Sequence, residues 1–416
     1  MQASENISTK QHFDVIISGG GLSGSLMALS LLSLKTSDNK PLSIAIIEAA
    51  DATKTGQLIK NTTSVFDDRV LALSHASAQY LKKIDAWPLI QEHAQAITDI
   101  HISDRGYYGK ARITADKHSV SAVGYVVEMS KLGLALHQVL EKNSQNLTWF
   151  TPDSIEQIQW KSESVDITLT SQIQLSASLL IGCDGANSIC RQSANIACDR
   201  TDYNQSALIT NVSTKQPHHG VAFERFTENG PIAMLPMVNV ANENSRCSLV
   251  WTLTPEQADE MKLLTDEEFK ITLERSFGSW LGSIEKVGKR HIYPLSLVQA
   301  QAQIHHRMVL IGNASHTIHP IAGQGFNLGL RDVQILAKTL EQALSQQEDI
   351  GSFNRLTEYA LSRKKDHRHI IKLTDSLVTL FSNDLFPLVV GRNIGLKVLN
   401  YVPVIKNTFV NKTMGY

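Results

Sequence analysis

The sequence predicts an α/β chain in which a parallel-sheet lobe is interleaved with a smaller antiparallel-sheet lobe and followed by C-terminal helices. Three observations lead there. An apolar run, a glycine-rich turn and an amphipathic stretch follow one another near the N-terminus. Short alternating or β-branched runs recur between positions 165 and 252. A second strand–loop–helix unit returns late, at 307–344.

Residues 13–18 (FDVIIS) place Val15, Ile16 and Ile17 in succession, as a parallel strand buried on both faces requires. Gly19-Gly20-Gly21-Leu22-Ser23-Gly24 follows at once, and Leu22, Leu26 and Leu29 then mark a helix. Residues 42–47 read as a second strand ending at Glu48. This is a Rossmann-like βαβ unit for a dinucleotide. Gly19 makes the turn, Gly21 admits a pyrophosphate, and Gly24 lets helix meet strand. Leu22 and Ser23 complete the turn. Glu48, 24 residues past Gly24, is placed to bind ribose hydroxyls. A lone glycine triplet is a weak signal, but with both flanking elements and the acid in place it is strong.

Arg69 precedes a helical pattern at Ala78, Leu81 and Ile84. Residues 97–103 read as a strand, and Leu132, Leu136, Val139 and Leu140 as a helix face. Val165, Ile167 and Leu169 alternate with polar residues, the pattern of a half-buried strand in an antiparallel meander. Leu179-Leu180-Ile181 runs into Gly182-Cys183-Asp184-Gly185. A carboxylate and a glycine at a strand's end suit a ligand site, although helix capping by Asp184 or Ser188 requires the same residue types. Residues 208–213, 221–226, 232–237 and 248–252 are spaced as an antiparallel sheet, and 261–280 reads as helical.

The stretch from Arg307 to Asp332 organises the rest. It joins a strand at 308–311 to a loop with Pro320, Gly323 and Gly325, then to a helix through Leu328, Leu330, Val333 and Leu336. Such a helix start aims free N–H groups and a positive dipole end at an electron-rich group. Further helices are expected at 333–344 and 359–380. The expected organisation assigns 12–88, 125–200 and 298–345 to the dinucleotide lobe, 89–124 and 201–297 to the second lobe, and 346–416 to a helical region.

Composition narrows the partners. With 42% hydrophobic and 19% charged residues the 416-residue chain reads as folded, and a net charge of −1 carries no nucleic-acid footprint. Cys183, Cys190, Cys198 and Cys247 form no CxxC pair, so reduced thiols in a cytoplasmic protein are expected. No metal is expected: in sequence, His316 and His319 lack companion carboxylates and read as loop-packing residues. No leader pattern opens the chain, and no apolar run has the length of a spanning helix.

Three motifs stand in order: GGGLSG at 19–24, CDGANSICR at 183–191 and IGNASHTIHPIAGQGFNLGLRD at 311–332. Together, over nearly the whole chain, they resemble the flavoprotein aromatic hydroxylases related to para-hydroxybenzoate hydroxylase. FERF at 223–226, GPIAMLPM at 230–237, SDRG at 103–106 and VVGRNIGL at 389–396 are similar to the ubiquinone-biosynthesis hydroxylases of that group, those acting on a polyprenylated methoxyphenol above all.

The resemblance implies an extended FAD with its ADP half on Gly19, Gly21, Leu22, Ser23, Gly24 and Glu48. Asp184 and Gly185 correspond to a motif associated with FAD and the nicotinamide cofactor. Gly312-Asn313 stands where the family has glycine and aspartate, so an amide replaces the carboxylate at the ribityl chain. Pro320, Ala322, Gly323, Gly325 and Asn327 are implied along the isoalloxazine, with Arg69 nearby. A second family arginine, before the helix at Leu132, is replaced by Val127-Glu128-Met129. The implied chemistry is reduction of FAD by NAD(P)H, formation of a flavin C4a-hydroperoxide with O₂, and hydroxylation of a phenol. Pro320, Gly323 and Arg69 act in it by positioning, and no acid–base side chain is assigned. Hydroxylation at another ring position, another phenol, and a flavin-binding scaffold role in a multi-enzyme ubiquinone-biosynthesis complex are the alternatives. A polyprenyl substrate implies peripheral contact with the inner face of a membrane. The tail at 373–404 has a pattern suited to such docking, and equally to packing on the core.

Overall fold

The computed structural model describes residues 10–36, 38–51, 69–228, 230–239, 245–319, 323–381, 393, 397, 400 and 402–416. Most of the candidate docking tail, and Pro320 and Ala322 of the candidate site, lie outside the described residues.

Strand β1 (Gln11–Ser18) occupies the middle of the first sheet, paired in parallel with β2 (Ile44–Ile47) and with Gln174–Gly182. Leu147–Phe150 and Met308–Leu310 extend the parallel order on either side. The alternation of β1 explains its unbroken hydrophobicity. Val15 and Ile17 enter one core with helix α1 (Leu22–Leu32), while Phe13 and Ile16 enter another on the opposite face. The meander expected around 165–169 is present, with Val165–Leu169 antiparallel to both of its neighbours.

The second sheet has nine strands. Five of them run side by side: β3 (Asp99–Asp104), β5 (Val221–Thr227), β6 (Gly230–Met237), β7 (Arg246–Leu253) and the long β4 (Cys198–Thr214). Strand β8 (His291–Ala300) pairs with the far side of β4. Its sequence, interrupted by Pro294, gave no strand signal.

Helices cover the outer face of this sheet, where Leu208, Ile232, Met234, Leu249 and Trp251 meet Phe269, Leu273 and Phe277. The single helical stretch expected at 261–280 is two helices, Pro255–Leu263 and Asp266–Phe277. Each begins with a capping box, Thr254 with Gln257 and Thr265 with Glu268, and the second box forces the break. The strand expected at 97–103 is likewise divided into Ala94–Ile97 and β3, which belong to different sheets.

The inner face of the nine-stranded sheet turns toward a small sheet of Val70–Ser74, Gly124–Glu128 and Ala94–Ile97. Ala222 and Met237 pack there with Ile97, Val126, Val410 and Met414, and Arg246 bonds Glu128 across the gap at 3.0 Å. Behind lie two helices packed on each other, Gln324–Ser345 and the 29-residue Phe353–Phe381. Among the described residues no helix is long and apolar enough to cross a membrane.

Candidate active site

The glycine turn has the geometry of a phosphate cradle. A Cβ on Gly24 would sit 1.8 Å from the Gly19 carbonyl oxygen, so only glycine lets α1 approach β1 this closely. At Gly21 the same added atom would meet nothing within 4 Å, and the α1 N-terminus carries neither a side-chain cap nor an acidic residue in its first turn. Free donors facing open space fit a pyrophosphate. Glu48 is drawn onto the turn: Oε2 accepts from the Gly20 N–H at 2.6 Å and Oε1 from Ala50 N–H at 2.8 Å. Glu48 thus orders the turn.

Two further loops join this cradle. Gly312 lies so near Ser23 that a Cβ would come within 2.9 Å of its Oγ, and beside Gly312 Asn313 is exposed. The capping alternative for Asp184 and Ser188 is realised, because Asp184 Oδ2 accepts from Cys190 N–H and Ser188 Oγ from Arg191 N–H. Asp184 Oδ1, however, is buried with no partner among the described residues, an acceptor left for a ligand. Buried Arg191 braces these two loops by donating to the carbonyls of Ala314 (2.9 Å) and Ala186 (2.7 Å).

The third piece is the start of helix 324–345. Gly323, its N-cap, has a φ of +62° and packs on Ala72, and no side chain caps the helix. Asn327 is fully engaged in bracing. Its Oδ1 accepts from Ser74 N–H and Ser77 Oγ, and its Nδ2 donates to the carbonyls of Ala72 and Gly323. Gly325 and Asn327 therefore shape this wall from within the helix. Arg69 is exposed, its guanidinium 5.6 Å from the Tyr293 ring centre, so it reaches across to the second lobe. An apolar cleft lined by Ala72, Ile97, Ile100, Ile113, Gln324 and Asn327 opens between this helix start and the nine-stranded sheet.

Two residues along β3 from Ile100 of that cleft, Ile102 ends a row of cross-strand neighbours on the sheet's inner face: Ile209 beside Val250, Val250 beside Ala233, Ala233 beside Glu224, and Glu224 beside Ile102. All five are half-buried, whereas most of their neighbours along the strands are buried. They form an apolar trough with one carboxyl. Glu224 has no hydrogen-bond or ion-pair partner among the described residues, and burial pushes its carboxyl up to about 7.

The absence of a carboxylate beside His316, read from the sequence, is corrected by the fold. Asp332, 16 residues on, accepts from His316 Nε2 at 2.9 Å, while its other oxygen accepts from Arg363 Nε at 2.6 Å and His367 Nε2 at 2.8 Å. All four side chains are buried. The Arg363 guanidinium puts a fixed positive charge on this carboxylate, which opposes a cation among the same ligand atoms. Burial alone would raise Asp332, but the charge and hydrogen bonds of His316 and His367 outweigh it and hold the carboxyl well below its usual range. His319 behaves as a packing residue, against the Tyr203 ring, and burial pushes it down to about 4.

Comparison with known proteins establishes the family. Residues 155–372 match the FAD binding domain family. Over 97% of its length the chain is 33% identical to ubiquinone hydroxylase UbiL of Rhodospirillum rubrum, of which it covers 89%. It is 30% identical to the human mitochondrial ubiquinone biosynthesis monooxygenase COQ6, covering 96% of this chain and 92% of that one. The fold superposes on p-nitrophenol 4-monooxygenase PnpA of Pseudomonas putida with a TM-score of 0.76 at 17% identity, over 98% of this chain and 99% of that one.

Proposed function

The chain belongs to the FAD-binding monooxygenases, and we propose that it hydroxylates the ring of a polyprenylated methoxyphenol on the route to ubiquinone, with NAD(P)H as reductant. One observation supports the substrate class best: the half-buried apolar trough from Ile209 to Ile102, on the sheet face whose Ile100 lines the cleft at the start of helix 324–345. A flat, largely apolar ring with one ionisable hydroxyl suits such a surface.

In this reading the N–H groups at the start of α1 and the open side of Gly21 hold the pyrophosphate. Glu48 takes the ribose, and Gly312, Asn313 and Asp184 line the ribityl chain. Bound FAD supplies two-electron transfer from NAD(P)H and the activation of O₂. The chain's own part is to hold the ring against the nine-stranded sheet and to keep water out, with Arg69 over Tyr293 closing one side. Gly323 and Gly325, at the start of helix 324–345, meet the flavin ring, and the sequence motif assigns Pro320 and Ala322 to the same role. The polyprenyl tail of such a substrate makes peripheral membrane contact, or handover within a biosynthetic complex, part of the same proposal.

Purified holoprotein, NADH or NADPH, O₂ and a methoxyphenol carrying a two-isoprene tail make up the test. Product one oxygen atom heavier, formed in step with NAD(P)H oxidation, is expected. Tight FAD binding without turnover of any phenol would favour the scaffold role instead.

A further inference from the structure

An aromatic ring yields electrons to an electrophilic oxygen far more readily once its hydroxyl has lost its proton. A phenol of ordinary acidity, near pKa 10, is almost wholly protonated at neutral pH. A phenol hydroxylase therefore gains from a base beside the ring, and the cofactor loops offer none. Asp184 is tied to Cys190 N–H through Oδ2 and, in the reading above, keeps Oδ1 for the cofactor, Glu48 is tied to Gly20 and Ala50, and His319 is packed against Tyr203.

The inner face of the nine-stranded sheet does offer one. On that face Arg246 is paired with Glu128, Asp104 accepts from Asn393, and Tyr293 lies under Arg69. Glu224 alone of these is held by nothing among the described residues, and its immediate cross-strand neighbours are Ala233 and Ile102. We propose that Glu224 is the base that takes the phenolic proton of the substrate, a role that rests on the hydroxylase reading above. In this step the substrate O–H bond breaks and its electron pair stays on the phenol oxygen. The proton forms an O–H bond on the Glu224 carboxylate, and nothing is oxidised or reduced. The ring is then a phenolate, flanked by apolar side chains that keep water from competing for the charge.

Two features make the position suitable. Glu224 sits in the middle of a paired strand, with β3 on one side and β6 on the other, so its backbone cannot drift. Its carboxyl, at about 7, is poised between proton acceptor and donor at working pH. That level reflects burial alone. Arg225 and His101 occupy alternate positions on the opposite face with Trp280, and Asp375, on the long helix touching β6, is bound by Tyr203.

The test compares wild-type and Glu224→Gln holoprotein on the two-isoprene methoxyphenol and on a ring-fluorinated, more acidic analogue. Glutamine keeps the volume and cannot accept the proton. Hydroxylation of the ordinary phenol should fall about 100-fold, as for loss of a general base. The deficit should shrink toward about ten-fold or less on the acidic phenol, with FAD retention unchanged. Equal deficits on both phenols, or none, overturn the role. Wild type alone gives a second check. Its acid-side loss of kcat should centre near the same pH for both phenols, and a midpoint that tracks each phenol's own acidity overturns the proposal. Wild-type protein that hydroxylates neither phenol sinks the hydroxylase reading, whereas full turnover by the variant sinks only the role of Glu224.

Discussion

Asp332 and Glu224 are carboxyls set into the two lobes of one molecule, and their surroundings drive them in opposite directions. Asp332 is completely buried yet stays ionised, because three side chains donate to its two oxygens. Glu224 is less buried but has no donor among the described residues, so its charge is disfavoured. Burial acts on both, and partners decide the outcome. Around Asp332 the polar side chains are spent on one another. Glu224 is left without a partner among the described residues and faces a trough, as groups in ligand sites do.

The largest expected effect comes from breaking the satisfied member. Asp332→Asn leaves Arg363 with Asp366 as its remaining counter-charge and takes the acceptor from His316 and His367, which should cost about 3 kcal/mol in denaturant unfolding. Adding Arg363→Met should recover part of that loss, and a double variant no better than the single one would show that the histidines carry the cluster. The same carboxylate sets an acid limit. Because its folded pKa is depressed, its contribution is present above about pH 4 and is lost as the pH falls further.

Glu224 should show the reverse sign. Between its ordinary value of 4.5 and about 7 the folded chain holds a proton that the unfolded chain releases, so stability declines as pH rises through that window and is level above it. Glu224→Gln should therefore be about 1–3 kcal/mol more stable than wild type at pH 8 and indistinguishable at pH 4. Melting curves at the two pH values decide this, and a variant less stable at pH 8 would mean that a hidden partner satisfies the carboxylate.

The smallest effect tests the trough itself. Val250→Ala removes two methyl groups from a half-buried side chain of the trough, so less than about 1 kcal/mol of stability should be lost while KM for the phenol rises. A loss of several kcal/mol would indicate closed core in place of a ligand surface.

The contrast between these regions also explains what the sequence made legible. The dinucleotide unit was readable because its requirements are local: an apolar strand, glycines at fixed spacing, and an acid at the next strand's end. The Asp332 cluster was not, since His316, Asp332 and His367 come from a short strand and two helices whose approach no local pattern encodes. A partial signal existed in Arg363, Asp366 and His367, which share a helix face at spacings of three and four. Glu224 sat in plain view within the alternation Phe223, Glu224, Arg225, Phe226. Periodicity assigns it to a face without saying which face looks inward. The break at Thr265 was present as a threonine three residues before a glutamate, and was hidden by the helical propensity on either side.

The two-residue strand His316–Thr317 has a mechanical consequence. It immediately follows the Gly312-Asn313 loop of the cofactor lobe, yet it pairs with Val298 and Gln299 of the substrate sheet. A hinge that swung the lobes apart would have to tear that pairing and pull on the His316–Asp332 bond behind it. The Gly312-Asn313 loop and the nine-stranded sheet are thus held at a set distance by one short pairing.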